Sequence, residues 1–464
     1  MSAEATSDAS VQNDFLKVET TGIEMVPQSE RSGRLWELGG MWAGAFMNYA
    51  SLLTGSLLIT FGLGIPDALL AIAVGAALAA VVLGLVSITG PRGGVPQIVF
   101  SRLVFGYHGA YLAGALTLFL AVGWFAVDCV IATNALSQLL QELGIASSQA
   151  LHAVMLLVVV AVSMLIAVYG HRTVVVFERF GAVAFLTFCV VLLAVLAPRV
   201  HWHLTASVHG SAHVGAWILG ASVTFALVAS WFSFAADYSR YLPARTEAGG
   251  VVWWVTLGAG LPTMLLGALG VVLFSMNTRT GDLLTTIVQQ TPKPLALAFL
   301  LFVALGMVWA NYLDVYTAGL VTLALDVPLR RWQTAVLAGI VGGLLAYYAL
   351  FVSSFYTAYT NFLLVTYIWA PAWAAIVVLT LYESRQRAYP AETFFRRTGV
   401  RAPAVIALLI GTAAAVPFVN SSLWQSPLAL NLLHGADISG FVSFVAGGLV
   451  YLALTRSTRK QFWK

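Results

Sequence analysis

Two aspartates stand deep inside apolar runs with no basic residue near them in sequence. Asp128 lies in "AVGWFAVDCVIATN" and Asp314 in "VWANYLDVYTAGL". Trp124 precedes Asp128 by one helical turn on the same face, and Asn311 precedes Asp314 by three residues, which makes a polar face. A carboxylate at the centre of a bilayer costs at least ~2.5–3.5 kcal/mol on insertion scales. Acids placed there carry protons, hydrogen-bond a polar solute, or, in the blander reading, pin two helices together in their protonated form. Trp124 offers a flat ring to an aromatic solute, a contact worth roughly 0.5–1.5 kcal/mol beyond area burial. Trp231 offers a second ring, in a small-residue stretch beside Ser230 and Ser233. Asn48, with Ser51 three residues on, lines a substrate or cation site or makes an ordinary interhelical hydrogen bond. Two aromatic planes with amide, hydroxyl and acid groups suit a planar, hydrogen-bonding heterocycle better than a sugar or a lipid. Glu178 and Asp237 lie nearer helix ends beside Arg179 and Arg240 and read as structural.

The elements that position these residues follow from composition. The chain has 464 residues, of which 60% are hydrophobic and 9% charged. A soluble domain carries about 25% charged residues. Apolar runs long enough to span a bilayer as helices fall near 38–62, 67–90, 108–141, 151–170, 177–198, 213–241, 251–275, 295–325, 333–351, 357–382, 402–419 and 438–455. The fold class is therefore an all-α polytopic membrane protein with twelve transmembrane helices, and its lipid partner is the bilayer. Alternation of the β-barrel kind is absent. Residues 1–37 are polar and lack the pattern of a cleaved signal, so they read as a disordered, uncleaved cytoplasmic tail. Cys129 and Cys189 sit inside apolar runs and imply no disulfide. His201, His203, His209 and His213 share one loop, but their spacing fits no metal motif and reads as a solvated external loop. With no HExxH, no GxSxG and no clustered ligands, the chain is not expected to be an enzyme and needs no cofactor.

Basic residues set the orientation. With the N-terminus inside and the runs alternating, only Arg199, Arg279 and Lys293 of the 23 basic residues fall outside. The positive-inside rule therefore places both termini in the cytoplasm. It also accounts for the formal charge of +4 without a nucleic-acid partner. Arg92 and Arg102, in the loop "GPRGGVPQIVFSRLVFG", read as topology determinants on an amphipathic helix. The first and sixth runs, "GGMWAGAFMNYASLLTGSLL" and "LGASVTFALVASWFSFAADYSRYLP", carry glycine and small polar residues at mid-depth. Each is followed by four more runs. Broken helices at matching positions of two five-span halves are the mark of a transporter built from inverted repeats.

Four motifs then occur in order: "GPRGGVPQIVFSRLVFG", "VGWFAVD", "SWFSFAADYSRYLP" and "ANYLDVYTAGL". Over roughly residues 35–385 the chain resembles the nucleobase:cation symporter family of cytosine, purine, uracil, hydantoin, allantoin and thiamine permeases. The resemblance implies a LeuT-like fold: 38–198 and 213–382 as the two inverted five-helix repeats, and 402–464 as two extra C-terminal helices with a short tail. It implies that Trp124 stacks on the base and that the sixth-span break, at Ser230 and Trp231, gives a second contact. Family members often place a glutamine three residues before that tryptophan; here Ala121 stands there, and Asp128 is the substitute base contact. Sodium-coupled members carry hydroxyl side chains just before the residue that matches Asn311. Trp309 and Ala310 occupy those places, and sodium, like calcium, wants oxygens. The expectation is a proton-coupled importer of a nucleobase or related planar heterocycle across the cytoplasmic membrane. Asp314 is the first candidate proton carrier and Asp128 the second. The substrate contacts are Trp124, Asp128, Ser230, Trp231, Asn48 and Asn311. The alternatives are a sodium-coupled carrier, using backbone carbonyls near Ala45 and Asn48, and an amino-acid or organic-cation carrier on the same fold.

Overall fold

The first apolar run breaks at Met47 and Asn48, which separate α1 (Leu35–Phe46) from α2 (Tyr49–Thr60). The chain satisfies its own backbone there. Asn48 is the N-cap of α2: its side-chain oxygen accepts from the Ser51 amide at 3.3 Å, and its own amide donates to the Ala45 carbonyl at 2.8 Å. The Ser51 hydroxyl donates to the Phe46 carbonyl at 2.7 Å. Such a cap is worth about 1 kcal/mol in water. At membrane depth an unpaired backbone group costs several kcal/mol, so the break depends on these side chains.

The computed structural model describes residues 22–169, 171–329, 331–384, 389–397 and 399–456. The first 21 residues of the expected tail lie outside this range, as do the side chains of Glu178 and Arg179. After the first run come α3 (Ile65–Ser87), α4 (Thr89–Gly93), α5 (Gln97–Phe105), α6 (Ala110–Glu142), α7 (Gln149–Tyr169) and α8 (His171–Leu196). The sixth run is α9 (Gly210–Ala229), one turn of 3-10 helix at Phe232–Phe234, and α10 (Ala235–Ser239). Then follow α11 (Ala248–Phe274), α12 (Leu283–Gln290), α13 (Lys293–Ala324), α14 (Arg331–Phe351), α15 (Phe355–Glu383), α16 (Glu392–Phe395), α17 (Ala402–Ala415) and α18 (Ser439–Thr455). Among the described residues, 8 helical stretches are long and apolar enough to cross a membrane. The first, fifth, eleventh and twelfth expected spans coincide with shorter apolar helices. Large apolar side chains face outward, as at Leu157 and Leu344, which are 70% and 66% exposed. An exposed belt of this kind suits lipid rather than water.

The packing relates the two halves. The first span lies along α11, the seventh, while α9 of the sixth lies along α3, the second; α6 and α13, the third and eighth, lie along each other. Glycine permits the closest of these approaches. A Cβ on Gly55 of α2 would stand 1.9 Å from the Gly267 carbonyl oxygen of α11.

The arginine-rich end is closed by side chains that cap helices. Arg102 is 3% exposed, unlike the exposed Arg92. It donates to the Ala324 carbonyl at the end of α13, at 2.8 Å, and lies 4.1 Å over the Tyr107 ring. Arg102 is buried because the C-terminus of α13 takes its charge. Asp237 accepts from the Gln97 amide at the start of α5, at 2.8 Å, so the contact across 140 residues adds to the local Arg240 neighbour. The segment before α1 is tied to the same end, through Arg31 to the Val26 and Pro91 carbonyls. Asp326 accepts hydrogen bonds from Tyr107 and Tyr111. Burial alone would raise its carboxyl, but those two hydroxyls and the charges of Arg102 and Arg397 hold it below the usual carboxylate range. A lowered carboxyl adds stability that is complete above its unfolded value and is lost as pH falls through the lowered one.

Two outcomes are expected. Gly55→Ala should lower the thermal midpoint of the purified protein, by about 1–3 kcal/mol of overpacking. Gly40→Ala, where no atom lies within 4 Å of the added carbon, should not. Asp326→Asn should lower the midpoint at neutral pH and flatten its fall on acidification; an unchanged acid limb would remove Asp326 from the clamp.

Candidate functional site

Three elements face one another at mid-depth: the broken first span, and α6 and α13, which pack along each other. Between them, with α7, α8 and the end of α9, lies a cavity of about 440 Å³. Its wall at the first break is Gly44 to Ser51. From α6 it takes Trp124 and Asp128, one turn apart as helical spacing requires. From the sixth span it takes Leu227 and Trp231, and from α13 Phe302, Val303 and the stretch Leu305 to Ala310 with Leu313 and Asp314.

The two tryptophans are held by aromatic edges. Trp124 meets Tyr359 and Phe362 of α15 edge-on, with centroids at 6.1 and 5.4 Å. Its indole N–H donates to the Ser230 hydroxyl at 3.0 Å, and that hydroxyl donates to the Leu227 carbonyl at 2.7 Å. Trp231 is framed by Trp42 and Phe46 of α1, each at 6.0 Å, and by Phe234 at 5.4 Å. Such pairs add about 0.5–1.5 kcal/mol each beyond burial, enough to fix ring orientation before any solute arrives.

The two acids share the cavity. Asp128 is 5% exposed and Asp314 is 2% exposed. Among the described residues no hydrogen bond reaches either carboxylate. No lysine, arginine or histidine is among the described residues in the wall.

The structure thus brings Trp124, Asp128, Trp231, Asn48 and Asp314 to one cavity. It places two other expected contacts elsewhere. Ser230 is fully buried behind the wall, and its hydroxyl serves Trp124. Asn311 is also fully buried: its amide donates to Ser163 of α7 at 3.0 Å and to the Cys129 sulfur of α6 at 3.4 Å. It ties α13 to α6 and α7, on a face turned from the wall. The sequence reading passed over Phe46, although it adjoins the break and could have been found there. It also passed over Val162, Ile166 and Phe185, which reach the wall from α7 and α8. Nothing in their local pattern separates them from lipid-facing residues. In the histidine loop, His213 pairs with Asp67 at 3.0 Å. No group of three or more His, Cys, Asp or Glu that could hold a metal is found among the described residues.

Comparison with known proteins places this geometry. Residues 25–443 match the family of permeases for cytosine/purines, uracil, thiamine and allantoin. The chain belongs to this family. The permease is 26% identical to the putative purine-cytosine permease YxlA of Bacillus subtilis, over 96% of this chain and 98% of that one. It is 24% identical to the purine-cytosine permease fcyB of Emericella nidulans, over 95% and 88%. Mhp1, a nucleobase-cation-symport-1 family transporter, superposes in its inward-facing conformation with a TM-score of 0.75 at 15% identity, covering 96% of this chain and 94% of that one. In a closed conformation with bromovinylhydantoin bound the score is 0.73 at 14% identity, covering 95% and 96%. At such identity the likeness fixes the fold, which is the LeuT-like one. The permease is a multi-pass membrane protein and not an enzyme.

Removing the Ser230 hydroxyl orphans a buried indole N–H, which costs about 1–3 kcal/mol. Ser230→Ala is expected to lower the thermal midpoint in the wild-type background and to cost much less in Trp124→Phe, which has no N–H to lose. Equal losses in both backgrounds would show that Ser230 does not act through Trp124.

Proposed function

We propose that this permease is a secondary active importer of a nucleobase or related planar heterocycle, working by alternating access across the cytoplasmic membrane. One observation carries the reading. The breaks of the first and sixth spans border a single cavity that also holds Trp124, Trp231, Asp128 and Asp314. The relatives named above are purine-cytosine permeases, and the Mhp1 structure holds a hydantoin; purines, cytosine and hydantoins are all flat ring compounds with polar edges.

In this reading the ring lies against Trp124 and Trp231, and Asp128 meets its polar edge. Asp314 carries a proton. Sodium is disfavoured by the donor set. Trp309 and Ala310 bring no side-chain oxygen to the wall, and the Ala45 carbonyl already takes the Asn48 amide at 2.8 Å. Asn48 holds the break open, and Asn311 fixes the helix that carries Asp314. Both termini face the cytoplasm, since the basic residues gather at the end that Arg31, Arg102 and Arg240 close. Residues 38–198 and 213–382 form the two repeats that move against one another, with α17 and α18 packed along α15.

Trp124→Ala should abolish uptake of the heterocycle while the protein still inserts; near-wild-type uptake in that variant ends the assignment. In proteoliposomes, a protonophore should collapse accumulation and replacement of sodium by choline should leave it unchanged. Strict dependence on sodium would refute the proton.

A further inference from the structure

Among the described residues, carboxyls are the charge-bearing side chains of the cavity wall. Asp128 and Asp314 face the same apolar space, both are more than nine-tenths buried, and no hydrogen bond or basic side chain from the described residues meets either. An ionised carboxyl without a partner is costly in such a space and two in one cavity are costlier still, so a cation between them offsets the cost of ionising one. The remaining wall is built for a flat cation as well as for a flat neutral ring. Trp124, Trp231, Phe46 and Trp309 supply π faces, and a desolvated cation over an indole is held by the ring quadrupole.

The neutral side of recognition is thin. A neutral base presents donors and acceptors along one edge, and a carboxamide matches that pattern best. The wall has one carboxamide, Asn48. Its oxygen takes the Ser51 amide and one of its two N–H groups goes to Ala45. The Ser51 hydroxyl is given to Phe46, and the Ser230 hydroxyl stands behind the wall under Trp124. Ala121, 1% exposed on the same helix as Trp124, brings no polar group.

We infer that the substrate is a positively charged aromatic heterocycle rather than a neutral base, its ring against Trp124 and Trp231 and its charge facing Asp128. This rests on the proposed function, because it assigns a charge to the occupant of the same cavity. Asp314 then remains for the coupling proton, so that one substrate charge and one proton neutralise two acids. Asp128 is the specificity-determining residue of the pair, since helical spacing puts it one turn from the stacking ring.

A matched pair of probes separates charge from shape. The full-length protein in detergent is titrated with the N-methylnicotinamidium cation, with neutral nicotinamide and with cytosine, reading the thermal midpoint and the Kd. The cation is expected to bind at least roughly tenfold tighter than either neutral ring, the size of a desolvated cation–π contact aided by a carboxylate. In Asp128→Asn that gap should close to within about threefold, while Trp124→Ala should weaken every probe that binds. If nicotinamide or cytosine binds as tightly as the cation, or the cation fails to bind at millimolar concentration, the charged-substrate inference is overturned. The heterocycle site survives that outcome provided a neutral ring still depends on Trp124. If Trp124→Ala leaves all binding unchanged, the site assignment itself falls. The wild-type comparison needs no variant to fold.

Discussion

Polar groups at bilayer depth must find partners within the chain, because lipid offers none. Everything distinctive about this permease follows from how that demand is met or left open. At the first break it is met locally. Asn48 and Ser51 take up the Ser51 amide and the Ala45 and Phe46 carbonyls, so the helix stops and restarts without exposing bare backbone. At the sixth break the interruption is milder, a single 3-10 turn, and the Ser230 hydroxyl satisfies a carbonyl behind it. Asp128 and Asp314 are among the buried groups left without a hydrogen bond among the described residues, and both border the cavity.

The aromatic groups serve the same end differently. Ring-to-ring contacts hold Trp231 against Trp42 and Phe46, and hold Trp124 against Tyr359 and Phe362. These contacts link the first span to the sixth and α6 to α15. On the proposed reading, a ring bound between the tryptophans touches α6 and the broken first and sixth spans at once. Differential contact of that kind is what a ligand needs in order to bias one conformation over another.

The arginine-rich end shows how closure is built from caps. Arg102 reaches the last carbonyls of α13, Asp237 meets the first amide of α5, and Asp326 gathers two tyrosine hydroxyls. Each contact is a helix terminus or a loop charge finding its complement.

By itself the sequence determined the class of the protein, the places of its breaks and the depth of its acids. Those are local properties: length of apolar run, a small-residue stretch, a charge inside it. Helical spacing also put Trp124 and Asp128 on one face. The tertiary structure decided what each face meets. Ser230 and Asn311 carry the same polar signal as Asn48, yet they turn toward Trp124 and toward Ser163, away from the cavity. Gln97 and Asp237 meet across 140 residues. Phe185 and Ile166 look like lipid-facing residues and line the wall. The reason is geometric. Periodicity says which residues share a side of a helix, while the rotation of that helix about its axis is set by neighbours far away in the chain.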